Sequence, residues 1–205
     1  MKRLISIELQ KIWKNRANRI LLIAYFVLLS FVSLFASIEF DLGQLHFRLA
    51  DMGIFNFPYI WHFTTYIADY ITFFLGVIII SMITNEYTYG TLKQNLIDGL
   101  SKAEFIQSKA LVILLFSLAA TVFVFIVSLI LGLRFSSYNE LGIIFSGTEY
   151  LLAFFIKIFF FFSFCFFLGT LLKRSAFAMG FIVVWFIAEH IIYGVMKFKI
   201  FNKAE

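Results

Sequence analysis

A single cysteine and a single proline stand in the whole 205-residue chain. One cysteine excludes a disulfide scaffold and any cysteine-based metal cluster. One proline, with no stretch rich in serine, glycine and proline, excludes long disordered linkers. Charge is scarce as well: 14% of the residues are Asp, Glu, Lys or Arg, against about 25% in an ordinary soluble domain. What is abundant is apolar. Hydrophobic residues make up 62% of the chain, and the mean hydropathy is +0.95. A soluble globule this short has too little interior to hide that surface, so the composition asks for lipid as solvent. The net charge of +5 comes from basic residues beside apolar runs, which argues for membrane topology and against nucleic acid as a partner.

A helix needs about 20 apolar residues to cross a bilayer. Five runs reach that length, at 20–38, 63–84, 110–133, 150–172 and 175–196. Each is too long for a strand, and backbone groups in lipid must bond internally, so the expectation is five transmembrane helices in one all-α integral membrane domain over 1–205. The first run follows a long basic segment and precedes no small-residue cleavage site, which makes it a retained helix and not a signal peptide. Between it and the second run lies a polar stretch holding Glu39, Asp41, His46, Arg48, Asp51 and Pro58.

If the chain alternates across the membrane, eleven basic residues fall on one side: Lys2, Arg3, Lys11, Lys14, Arg16 and Arg19, three more in 85–109, and Lys173 and Arg174. Five fall on the other: Arg48, Arg134, Lys197, Lys199 and Lys203. The positive-inside rule then places the N-terminus and the 85–109 loop in the cytoplasm. Residues 1–18 read as a helix lying on the membrane, with Ile5, Leu9, Ile12 and Trp13 at helical spacing and Lys2, Ser6, Gln10, Lys11 and Lys14 over the remaining surface. Basic residues opposite an apolar stripe suit an anionic leaflet, so membrane lipid is an expected partner.

The most patterned polar stretch is the loop at 85–109. Thr91 to Asp98 has helical propensity, with Leu92 and Leu96 on one face. Gly99 stands where a left-handed helix stop is wanted. Ser101 and Glu104 form a Ser-x-x-Glu capping box that starts a new helix running through Lys109 into the third span. The expected picture is a short rigid helix tied by a glycine turn to a long one, a geometry that passes on displacement instead of absorbing it. A helix of this kind docks in a groove, here with Leu92 and Leu96 as anchors and Lys93 and Asp98 on the rim.

Glu86, then Gly90–Thr91–Leu92, then Asp98–Gly99–Leu100–Ser101–Lys102, then Lys109 together resemble the first cytoplasmic loop of ABC-2 type transporter permeases. The resemblance extends to the N-terminal helix and the order of spans. It implies the ABC-2 (type V exporter-like) transmembrane fold and a multi-pass subunit of the bacterial cytoplasmic (inner) membrane, paired with a second permease subunit. It also implies a separate ATP-binding subunit that supplies ATP and Mg. The short helix would be the coupling helix, with Glu86, Gly90, Thr91, Leu92, Lys93, Leu96, Asp98, Gly99, Ser101, Lys102, Glu104 and Lys109 as coupling residues, and the N-terminal helix would be the elbow helix. The family usually has six spans; with five, the chain either stops before a sixth or is a five-span variant. The sequence itself has neither G-x-x-x-x-G-K-[ST] nor a G-x-G-x-x-G after a strand, so no cofactor and no ATPase site of its own are expected.

Ionisable residues inside spans are costly and face protein or water. Asp69, Lys157, Glu189 and His190 are the candidates here. Asp69 reads as wetted at the outer end of its span and Lys157 as reaching outward. Glu189 is a candidate for facing a transport path, and would meet Lys157 if the fourth and fifth helices pack antiparallel. A membrane enzyme needs convergent acid–base or metal groups; these four are scattered in sequence, and H-E-x-x-H and the nucleophile elbow are both missing. An ATP-independent carrier would show matching broken helices in two repeats, and none is visible. Permease subunit is therefore the leading expectation, with carrier or scaffold subunit behind it. Gly76, Gly132, Gly169 and Gly180 are candidate points of close helix approach, and Cys165 is expected to be inert packing.

Overall fold

The structure, a computed structural model, describes residues 2–37, 39–42, 45–48, 53–138 and 140–199, without the side chains of Lys2, 32–37, 39–42, 45–48, His190 and 197–199. The expected outer-loop and tail charges Glu39, Asp41, His46, Arg48, Asp51, Lys197, Lys199 and Lys203, and the side chain of His190, thus lie outside what is described.

Helix α1 (Lys2–Lys14) precedes α2 (Arg16–Ser37), and a short antiparallel hairpin follows, β1 (Glu39–Leu42) with β2 (Leu45–Arg48). This hairpin is a departure from the all-helical expectation. Then come α3 (Tyr59–Thr88), α4 (Thr91–Ile97), α5 (Lys102–Phe135), α6 (Leu141–Ile144), α7 (Glu149–Leu172) and α8 (Ser175–Lys199). Among the described residues, four stretches are long and apolar enough to cross a membrane: Tyr59–Thr88, Lys102–Phe135, Leu141–Leu172 and Ser175–Met196. The run expected at 20–38 falls on α2, whose last turns carry side chains outside the described set. Most of 85–109 proves helical, because α3 runs on to Thr88 and α5 already begins at Lys102. Only residues 89–90 and 98–101 leave the helical path there.

Helix α3 is the central post. Its contacts with α7 step along both helices in the same direction: Asp69 meets Lys157, Gly76 faces Phe161 and Cys165, and Ile83 lies against Gly169. The two helices therefore run parallel. Each contributes a glycine at the contact, and a Cβ at either position would strike a neighbouring side chain. Small residues let membrane helices approach closely and gain dispersion contacts where no hydrophobic drive separates helix from lipid. Gly132 of α5 likewise makes room for the Phe57 ring, whereas Gly180 faces open space and plays no such part. At the end of the bundle where α3 starts, the Ser137 N–H donates to Asn56 Oδ1 (3.0 Å), the Phe57 N–H to Ser136 Oγ (3.2 Å) and Trp61 Nε1 to the Ile144 carbonyl (2.8 Å). These bonds satisfy backbone groups that lipid could not.

Candidate functional site

At the other end of α3, the chain makes two sharp turns around α4. Tyr89 ends α3 by donating its N–H to the Asn85 carbonyl, and Gly90 turns the chain at φ +68°. Helix α4 closes with the Leu100 N–H on the Asn95 carbonyl (2.9 Å) and the Gly99 N–H on Leu96 (3.3 Å), with Gly99 at φ +96°. That is the Schellman arrangement, and glycine adopts its left-handed residue without a Cβ penalty. Ser101 then accepts the Glu104 N–H (3.1 Å), and the Glu104 carboxylate accepts the Ser101 N–H (2.9 Å), forming the capping box on α5.

No residue of α4 is buried. Leu92 and Leu96 are half-buried, whereas Ile97 and the neighbouring Tyr89 are 79% and 75% exposed. The apolar contacts available to a partner are therefore Tyr89 and Ile97, which spacing on one helix face does not reveal, more than Leu92 and Leu96. Lys93, Asp98 and Lys102 are exposed beside them.

Glu86 and Lys109 are not on that outer surface. Glu86 is 3% exposed and Lys109 wholly buried. Lys109 Nζ donates to Glu86 Oε1 (3.0 Å) and to Glu8 Oε2, and it lies 5.2 Å from the centre of the Phe105 ring. Lys11 Nζ donates to Glu86 Oε1 (2.8 Å) and to Glu8 Oε1 (3.1 Å). The second Glu86 oxygen accepts the hydroxyl of Thr91, the first residue of α4, at 2.9 Å. Two carboxylates and two ammonium groups thus cancel, and they clasp α1, α3, α4 and α5 at one point. A buried ammonium is tolerated only with such pairing. For Lys11, burial works against its charge, but the Glu86 hydrogen bond and the nearby carboxylates outweigh it and hold its pKa above the ordinary lysine value.

Sequence reasoning missed Glu8 in this clasp. Its signal was available: it is the one acid among the six basic residues of the N-terminal segment, three positions before Lys11. The apolar stripe of α1 is also divided. Ile12 is buried beside Glu8 on the inward edge, while Ile5, Leu9 and Trp13 remain partly or largely exposed.

A second charged cluster lies within the spans. Lys157 Nζ of α7 donates to Asp69 Oδ2 of α3 at 2.7 Å and lies 3.7 Å from Glu189 Oε1 of α8. The fourth and fifth spans do bring Lys157 to Glu189, as packing of neighbours allows, and Asp69 joins them. Residues far apart in the sequence thus meet in space, and Asp69 and Lys157, expected to reach toward water, pair with each other while remaining partly exposed. A cavity of about 210 Å³ adjoins the three, walled by Phe73, Phe161, Phe164 and Trp185. Among the described residues no group of three or more His, Cys, Asp or Glu could hold a metal.

Membrane-length helices packed through glycine notches, with charges paired inside the spans, define a multi-pass integral membrane protein. A family model described as ABC-2 family transporter protein matches residues 4–189, from α1 into α8, and the chain belongs to that family. Its members are membrane transport components that generally work with an ATP-binding subunit. No curated protein and no solved structure matches the chain.

Proposed function

We propose that this chain is the permease subunit of an ATP-driven exporter, that α4 is its coupling helix, and that hydrolysis takes place in a separate ATP-binding chain seated against α4. The N-terminus and α4 then lie in the cytoplasm, five spans cross the membrane, and a second permease subunit completes the wall of the path. One observation carries the reading: a seven-residue helix with no buried residue is fixed at both ends by left-handed glycines, tied to α3 through Thr91 and Glu86, and capped onto α5 by Ser101. A free surface helix has no need of such fixing. A lever has, because force applied to α4 must reach α3 and α5 without loss in the joints.

Co-purification tests this. The full chain expressed with its neighbouring genes and extracted in mild detergent is expected to retain an ATPase, and a photo-crosslinker at Ile97 is expected to label it. Ile97→Asp places a charge at the centre of the docking patch, where truncating a central contact commonly costs tenfold or more in affinity, and the ATPase should be lost while the bundle stays folded. A chain that never retains an ATPase, or labels none from Ile97, would support a carrier or scaffold role instead.

A further inference from the structure

Helix α1 does not close onto the bundle along its whole face. Its inward edge, Glu8 and Ile12, is pinned by the clasp and by burial. The adjoining edge stands off and leaves an open groove of about 860 Å³ between α1, α2 and α5. The walls are almost entirely apolar: Leu9 and Trp13 from α1, Leu22 and Phe26 from α2, and Leu115 and Ala119 from α5. Apolar walls of this extent hold water poorly, and in a membrane the space is filled. Lys14 lines the groove at the end of α1, with Arg16 and Arg19 exposed just beyond it. Among the described residues none of these three has a carboxylate partner, and Glu8, the one acid of the N-terminal segment, is bonded to Lys11 and Lys109.

We infer that this groove seats one anionic phospholipid, its acyl chains lying between Leu9, Trp13 and Leu115 and its phosphate held by Lys14 and Arg16. The complementarity has two parts. The floor takes hydrocarbon, and the one charged residue that lines it is the cation Lys14, with the exposed Arg16 two positions further along the chain, the pattern by which a basic surface helix selects anionic over zwitterionic lipid. A wholly apolar protein segment would fit the floor but would bring Lys14 no counter-charge. The site needs no ATPase and does not depend on α4 being a coupling helix. The bound lipid would wedge α1 at a fixed distance from α5 and so brace the clasp from outside.

Trp13 is the reporter. The full chain is reconstituted into phosphatidylcholine vesicles containing increasing fractions of brominated phosphatidylglycerol or, separately, brominated phosphatidylcholine. The Trp13 signal is taken as the difference between the wild type and Trp13→Phe. Half-quenching is expected at a mole fraction roughly fivefold lower for the anionic lipid, and Lys14→Gln with Arg16→Gln should abolish the difference. Ala119→Phe fills the floor and should lower quenching by both lipids, with circular dichroism and gel filtration confirming that the variant is folded. Equal quenching by the two lipids in the wild type would mean ordinary boundary lipid. Quenching unchanged by Ala119→Phe would place the lipid elsewhere, and a Trp13 shielded from both would mean that a protein chain covers the groove. Each of these three results overturns the inference.

Discussion

The two charged clusters use the same chemistry in opposite settings. In the clasp, Lys109 is wholly buried and both of its carboxylate partners are nearly so. In the spans, the side chains of Lys157 and Glu189 are 53% and 48% exposed on the single chain. The clasp is balanced: two acids pair with two bases, and only Lys11, its side chain 41% exposed, reaches the surface. Among the described side chains, the cluster in the spans sets two carboxylates against one ammonium and is partly open on the single chain, in segments where unpaired charge is costly. A closed, neutral network holds helices together, whereas an open, unbalanced one calls for water or another chain beside it. The clasp thus joins α1, α3, α4 and α5 at one point, whereas the α3–α7–α8 face leaves its charges partly open.

Single substitutions should separate the two clusters. Lys109→Met leaves two buried carboxylates to Lys11 alone, and breaking a buried pair from one side costs about 3–5 kcal/mol. A large fall in thermal stability in detergent is expected, with new protease cuts at 89–101. Gly169→Val drives a side chain into Ile83 and should cost about 1–3 kcal/mol by overpacking. It should also alter Asp69–Lys157 crosslinking without loosening α4, since α7 takes no part in the clasp. Ser101→Ala removes the cap of α5 at a cost of about 1 kcal/mol, and hydrogen exchange should rise at Glu104 and Phe105 and not in the spans. Lys157→Met should cost less stability than Lys109→Met, because the side chains of its partners Asp69 and Glu189 are 28% and 48% exposed and are not sealed inside the protein when their ammonium is lost. If Lys157→Met proves as damaging to folding as Lys109→Met, the distinction between the clusters fails.

The smallest expected effect concerns pH. Since the pKa of Lys11 in the folded protein is raised above its ordinary 10.5, its contribution is fully present below that value and is lost only as the pH climbs through the raised one. A melting series from neutral to alkaline pH should thus show no loss from Lys11 below its ordinary value of 10.5 and a growing loss above it. Lys11→Met should flatten that alkaline limb.

Several local features were legible because their causes are local. The Ser101–Glu104 box and the Gly99 stop depend on residues within one turn of each other, and both stand where their spacing placed them. The long apolar runs marked the helices because the membrane constrains each span by itself. The extension of α3 to Thr88 was hidden because polar Asn85, Glu86 and Thr88 look like loop in a hydropathy reading, while Glu86 is solvated by lysines from α1 and α5 instead of by water. The exposure of Tyr89 and Ile97 followed from how two glycine turns orient α4, which no periodicity encodes.

By itself, then, the sequence determined that this protein lives in lipid, roughly where it crosses, where the helix between the second and third long runs starts and stops, and which family it resembles. Those properties follow from composition, run length and neighbours a few residues apart. Tertiary structure decided which charges are partners: Glu8 lies 101 positions from Lys109, and Asp69 lies 88 from Lys157. An ammonium group in a low-dielectric interior accepts whatever carboxylate the packing delivers, so its partner is fixed by the helix arrangement and not by distance along the chain.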